Sequence, residues 1–264
     1  DSGTVPSGSE NLSDGSSITV SSNSGSLIKS GYLFTGWSNQ QGNNYIYGDS
    51  ITIMGSDIIL YAKWAQIGYY TNAGEIIITN FDSNFSGSLV IPNMIDGFPV
   101  TKLSEWLFWE NALTSVILPE GLKEIERGVF QRCTNLGSIV LPDSLTNMGS
   151  QVFRDCTKLE TVVFGTGLTE IPYYGFKSCE SLLDIQIPDN ITDVGASAFS
   201  ACSSLTNLNF GNGVQNIETT AVESCSSLET VTIGTAITSI AFESFFSTTG
   251  VKTLNVHALT APTA

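Results

Sequence analysis

Five cysteines, Cys133, Cys156, Cys179, Cys202 and Cys225, follow one another at a constant interval of 23 residues. A fixed period of this length signals a short structural unit that stacks on copies of itself, because one such unit has no second layer on which to bury its apolar side. Aligned on the cysteines, residues 111–133, 134–156, 157–179, 180–202 and 203–225 are consecutive units, and a degenerate sixth runs into a last half-unit. Several apolar columns come into phase. Leu113, Leu136, Leu159, Leu182, Leu205, Leu228 and Val251 form one, and Val116, Ile139, Val162, Ile185, Leu208, Val231 and Leu254 the next. Two residues further on stand Leu118, Leu141, Phe164, Ile187, Phe210, Ile233 and Val256, an alternation typical of a strand.

Turn chemistry follows each strand. Pro119-Glu120-Gly121, Pro142-Asp143-Ser144, Gly165-Thr166-Gly167, Pro188-Asp189-Asn190 and Gly211-Asn212-Gly213 occupy one place in five units, and proline there ends a strand because it cannot donate to a ladder. A second short inward segment comes next, marked by Ile125, Met148, Ile171, Val194, Ile217 and Ile240. It closes with Phe130, Phe153, Phe176, Phe199, Val222 and Phe245. The expected fold is a strand-rich, right-handed repeat solenoid over 67–264, with 67–110 as entry cap and first rung, 111–225 as five repeats and 226–264 as a degenerate repeat and C-terminal end. Residues 1–66 do not follow the period. Their strand-like runs Ile18-Thr19-Val20, Tyr32-Leu33-Phe34 and Ile58-Ile59-Leu60-Tyr61, with Trp37 and Trp64, predict a small separate all-β or β-grasp-like module.

The recurring Leu-x-x-Val-x-apolar-Pro, Leu-x-x-Ile and Val-Phe-x-x-Cys pattern resembles the BspA-like class of bacterial leucine-rich repeats. Gly74-Glu75-Ile76-Ile77-Ile78, Val90-Ile91-Pro92 and Asp96-Gly97-Phe98-Pro99-Val100-Thr101 look like that family's first unit, so the resemblance covers about 67–257. Within 1–66, Gly31-Tyr32-Leu33-Phe34-Thr35-Gly36-Trp37, Tyr45, Gly48-Asp49 and Leu60-Tyr61-Ala62-Lys63-Trp64 are similar to the internalin B-type B-repeat, also called the Listeria–Bacteroides repeat. These resemblances imply a secreted or cell-surface bacterial protein that serves adhesion or extracellular recognition, and they imply no catalysis.

Ten basic residues face 25 acidic ones, a net charge of −15, which repels phosphate backbones and anionic lipid. Nucleic acid is therefore excluded as a partner, and no apolar run reaches the roughly 20 residues of a membrane span, so direct membrane insertion is excluded too. The expected setting is extracellular or on the cell surface, with export signal and anchor outside this chain, and the expected state is a monomer. The cysteines read as buried, reduced thiols that pack as small hydrophobes, since in-register thiols single out no pair. No metal, cofactor or catalytic set is expected. The chain has one histidine, His257, in the strand-ending turn column of Pro142 and Pro188.

Candidate partner-binding residues are the outward ones. Strand alternation exposes Ile117, Val140 and Val163 on the early rungs, and Asp184, Gln186, Asn207 and Asn209 on the later ones. The three arginines Arg127, Arg132 and Arg154, with Lys177, cluster in residues 123–177, where six basic residues balance six acidic. Flanking segments are acidic, with three basic against eleven acidic residues in 1–122 and one against eight in 178–264. Counting by 23 places Phe108 and Trp109 in the columns of Gln131 and Arg132, and Phe242 and Phe246 in those of Arg127 and Gln131, so all four are expected to point outward. The function expected is non-enzymatic recognition of an extracellular protein through the solenoid surface. The alternatives are glycan binding on the polar strand stripe and a structural spacer.

Overall fold

The computed structural model describes residues 15–20, 29, 31–45, 49–52, 54 and 58–257. Gly48 and the terminal stretch 258–264 lie outside them. Among the described residues there is no helix, and the chain winds into a β-solenoid of about eight turns. One side carries the longer strands Ser86–Val90, Ala112–Ile117, Ser138–Val140, Thr161–Val163, Asp184–Gln186, Asn207–Asn209, Thr230–Ile233 and Thr253–Val256. Their pairing is parallel, and it sets like residues opposite one another: Ile139 faces Val162, Ile185 faces Leu208, and Leu208 faces Val231. A second side stacks two-residue strands, with Ile171, Val194, Ile217 and Ile240 in register.

The third side has no strands. Each turn there carries two left-handed residues four apart, for example Gln151 at φ 63° with Asp155 at φ 60°, and Tyr174 at φ 57° with Ser178 at φ 58°. The left-handed region costs an ordinary residue roughly 1–2 kcal/mol. In return it turns alternate backbone N–H groups toward the following rung. Arg132, Asp155, Ser178, Ala201 and Ser224 each donate to a carbonyl 22 residues on, the N–H groups of Cys133, Cys156, Cys179 and Cys202 close short turns within the rung, and that of Cys225 donates to Thr248 Oγ1. The backbone donors of a segment with neither helix nor strand are thereby satisfied.

Between the three sides lies one continuous core. Leu113, Leu136, Leu159, Leu182, Leu205 and Leu228 are fully buried, and so are all five cysteines, which are free thiols. Phe108, Phe130, Phe153, Phe176 and Phe199 form a stack with successive ring centroids 5.2, 5.3, 5.2 and 5.5 Å apart. Each offset-stacked pair contributes about 0.5–1.5 kcal/mol beyond its area burial. Phe81 closes the stack edge-on, 4.9 Å from Phe108.

Phe108 corrects one expectation. It is 1% exposed and belongs to the phenylalanine column, not the outward column of Gln131. The first turn is one residue shorter than the rest, so Phe108 N–H bonds to the Val129 carbonyl and Glu110 N–H to the Gln131 carbonyl. Counting back 23 residues across that turn overshoots by one.

At the N-terminal end the short-strand ladder runs into antiparallel sheet. Asn147–Met148, Glu124–Ile125, Phe98–Leu103, Glu75–Phe81, Leu60–Asn72, Tyr32–Asn39 and Asn44–Tyr45 follow in that spatial order. The 13-residue strand Leu60–Asn72 contains the expected boundary at 66 and pairs with Tyr32–Asn39 over its first half and Glu75–Phe81 over its second. Val20, Trp37 and Ile51 make a small core of their own, whereas Leu33, Ala65 and Ile67 belong to the solenoid core.

Candidate recognition surfaces

The strand side is open to solvent. Ile117, Val140 and Val163 are 53, 62 and 55% exposed. Val90, opposite Ile117 in the ladder, is exposed as well and extends the stripe to a fourth rung, a residue the 23-residue count did not reach because the Met94–Ile95 hairpin lengthens that span. β-Branched residues suit a pleated surface, which accounts for their presence on strands. It does not account for a contiguous apolar stripe on the solvent side of a sheet.

On the later rungs the same columns turn polar, and the side chains bond along the stack. Asn209 Nδ2 donates to Gln186 Oε1 at 2.9 Å, and Asn207 Nδ2 donates to Asp184. Asp184, Gln186 and Asn207 are exposed and Asn209 is half-buried. Beside them a shallow cleft of about 160 Å³ is lined by Gln186, Asp189, Asn209, Asn212, Thr232 and His257, together with two glycines. His257 is exposed at the edge of this cleft.

The four central cations lie on the strandless side. Arg132 is committed to carboxylates, 2.5 Å from Glu110 and 3.7 Å from Asp155. Arg154 Nε approaches Asp155 at 3.4 Å without the alignment of a hydrogen bond, and its guanidinium lies 5.4 Å from the Tyr174 ring centroid. Lys177 Nζ sits 4.4 Å over the same ring, and Arg127 lies 5.3 Å from that of Trp106. Neither ring belongs to the outward columns that the 23-residue count picks out. Tyr174 and Trp106 share a left-handed column, a signal invisible without the turn geometry.

Of the terminal aromatics, Trp109 is 47% exposed and stands in the column of Gln131 and Arg154. Phe242 and Phe246 are exposed at the far end, where Leu254 and Val256 are also uncovered.

The buried thiols have raised pKa values because burial disfavours the thiolate. Cys133 and Cys225 are pushed up to about 12, and Cys156, Cys179 and Cys202 stand well above the ordinary range. Such thiols are poor nucleophiles. Tyr69 is raised to about 12 by donating its hydroxyl to Asp96 at 2.6 Å, while Glu75 is lowered by bonds from Lys123 and Thr101.

Residues 76–182 and 169–260 match the model of the BspA type leucine rich repeat region, and residues 1–63 match that of the Listeria-Bacteroides repeat domain. Among solved structures, a leucine-rich repeat protein of T. pallidum, TpLRR, is 27% identical, with a TM-score of 0.55 over 72% of this chain and 78% of that one. A leucine-rich repeat protein from Bacteroides ovatus ATCC 8483 is 20% identical, with a TM-score of 0.65 over 72% of this chain and 51% of the other. One from Eubacterium ventriosum ATCC 27560 is 20% identical, with a TM-score of 0.60 over 74% of this chain and 51% of the other. The chain thus spans about half the length of the last two. No curated protein matches it.

Proposed function

Since the chain belongs to the BspA-type leucine-rich repeat family, we propose that it is a non-enzymatic recognition module of a secreted or surface-attached bacterial protein, and that it binds a protein partner on the strand side of its solenoid. The observation that carries this reading is the exposed stripe of Val90, Ile117, Val140 and Val163. Four β-branched side chains on parallel strands roughly 4.8 Å apart make an apolar strip about 14 Å long on a rigid surface. A rigid apolar strip loses little conformational entropy on binding and removes water-exposed hydrocarbon when covered, which is how the centre of a protein interface is stabilised. The lone histidine sits at the edge of the polar cleft on the last turns, away from the five thiols, so no residue set here resembles an activated nucleophile.

Labelled protein applied to cultured epithelial cells tests the reading. Binding should be abolished by protease treatment of the cells and should weaken about tenfold in Val140→Glu, because one charge set into an apolar interface centre costs on the order of 1.4 kcal/mol or more. Binding that survives protease, or that Val140→Glu leaves unchanged, would refute it. A second reading, a glycan ligand, is favoured by the polar cleft beside Gln186 and Asn209. It predicts the opposite pattern: glycosidase-sensitive binding that is lost in Asn209→Ala.

A further inference from the structure

On the strandless side Arg127 and Lys177 stand without a carboxylate partner in a chain where acids outnumber bases 25 to 10. Among the described residues Arg127 and Lys177 form no ion pair. They are held instead by rings, Arg127 by Trp106 and Lys177 with Arg154 by Tyr174. A carboxylate partner neutralises a cation, whereas a ring holds it in place and leaves its charge to be met by something else. Three carboxylates on this side are already engaged: Glu126 by Lys102, Glu110 by Arg132, and Asp155 by Arg132 and Arg154.

The rings are placed with equal economy. A Cβ on Gly128 would lie 2.2 Å from Trp106 Cζ3, so the indole lies flat across the next rung and only glycine fits beneath it. Tyr173 stacks on Tyr174 with centroids 3.7 Å apart and is 45% exposed, and Trp106 is 37% exposed. Trp106 and Tyr174 are three rungs apart in one column, about 14 Å. Trp, Tyr and Arg are the residues over-represented where binding energy concentrates in protein interfaces.

We propose that this side binds a short acidic segment of another protein, laid across the rungs from Trp106 to Tyr174, with carboxylates meeting Arg127 and Lys177 and with an apolar or aromatic side chain against Tyr173. Four to five extended residues span the distance at roughly 3.3 Å each. A long polyanion fits less well. Beyond a screening length of about 8 Å from the patch it would run over the acidic flanks. The proposal involves other residues, and another side of the solenoid, than the strand-side reading, so either can fail alone.

The test uses a fluorescein-labelled peptide, Gly-Glu-Phe-Glu-Glu-Phe-Glu-Gly, its Gln-for-Glu counterpart and a heparin-derived oligosaccharide, each titrated against the whole chain by fluorescence anisotropy. The Glu peptide should bind about tenfold more tightly than the Gln peptide at low salt and lose that margin as salt screens the charges. The double variant Arg127→Glu/Lys177→Glu should lose about tenfold while keeping the β-sheet circular dichroism of the parent, Arg127 being exposed and Lys177 half-buried, while Val140→Glu should bind as the unaltered protein does. Equal binding of the two peptides, or full binding by the double variant, would overturn the proposal. So would tighter binding of the oligosaccharide through the same residues, or a salt-sensitive dimer seen by sedimentation without peptide.

Discussion

Each thiol of the cysteine column does more than fill space. Cys133, Cys156, Cys179, Cys202 and Cys225 donate S–H to the carbonyls of Phe108, Phe130, Phe153, Phe176 and Phe199 one rung back, at 3.0–3.3 Å. Thr248, in the same column, keeps the pattern by donating to the Val222 carbonyl at 2.5 Å, so the column outlasts its cysteines. Cysteine suits this place because it is apolar enough for the core and still carries a weak donor. In the folded chain burial holds the thiols protonated, and in the unfolded chain they ionise near the usual value of about 8.5. The folded state therefore binds more protons above that pH, so this contribution to stability is intact below about pH 8.5 and falls as pH rises from there toward the raised folded values. At pH 8 a disulfide-exchange reagent should titrate none of the five thiols in native protein and all five in guanidinium; labelling of the native column at the unfolded rate would contradict the buried ladder.

Stacking at rung separation leaves no room for side chains where the turns touch. At Gly213 a Cβ would lie 1.8 Å from the Asp189 carbonyl oxygen, backbone that cannot swing aside, whereas at Gly137 it would meet nothing within 4 Å. Gly213→Ala must therefore push two rungs apart, at a cost of roughly 1–3 kcal/mol, which lowers the melting temperature by about 2–4 °C per kcal/mol in a chain of this size. Gly137→Ala is the control, and calorimetry should find it within about 0.5 kcal/mol of the parent. Such pairs were not legible in the sequence. Gly213 reads as an ordinary turn glycine until the preceding rung is placed against it. The two left-handed columns were hidden for the same reason: Gln151, Tyr174, Asp155 and Ser178 carry no glycine signature, and rung-to-rung hydrogen bonds hold them there. Alternation along the strands, by contrast, was readable, because Ile139 inward and Val140 outward follow from the pleat alone.

Taken whole, the molecule is an acidic rod with a neutral, ring-studded middle. A net charge of −15 makes the folded chain repel itself, while its ion pairs, such as Lys102 with Glu124 at 3.1 Å and Lys252 with Glu229 at 2.6 Å, are partly or largely exposed and contribute little. Screening should then relieve more repulsion than attraction. The melting temperature should rise by a few degrees as sodium chloride goes from about 0.01 to 1 M, where the screening length shrinks from about 30 to 3 Å. A fall would mean that the ion pairs outweigh the repulsion.

The sequence by itself determined the period, the inward and outward columns and the family, because a repeated unit shows its packing needs once per repeat and 23-residue phasing makes them add. Only the tertiary structure decided what happens between rungs: the shortened first turn that carries Phe108 into the stack, the strand Leu60–Asn72 that joins the N-terminal sheet to the solenoid, and the rings that hold Arg127 and Lys177. The rung-to-rung contacts among them, such as Phe108 on Phe130 and Arg127 on Trp106, join residues some 20 apart across a stacking distance. No local propensity encodes such a pairing, and one residue gained or lost in a turn changes which side chains meet.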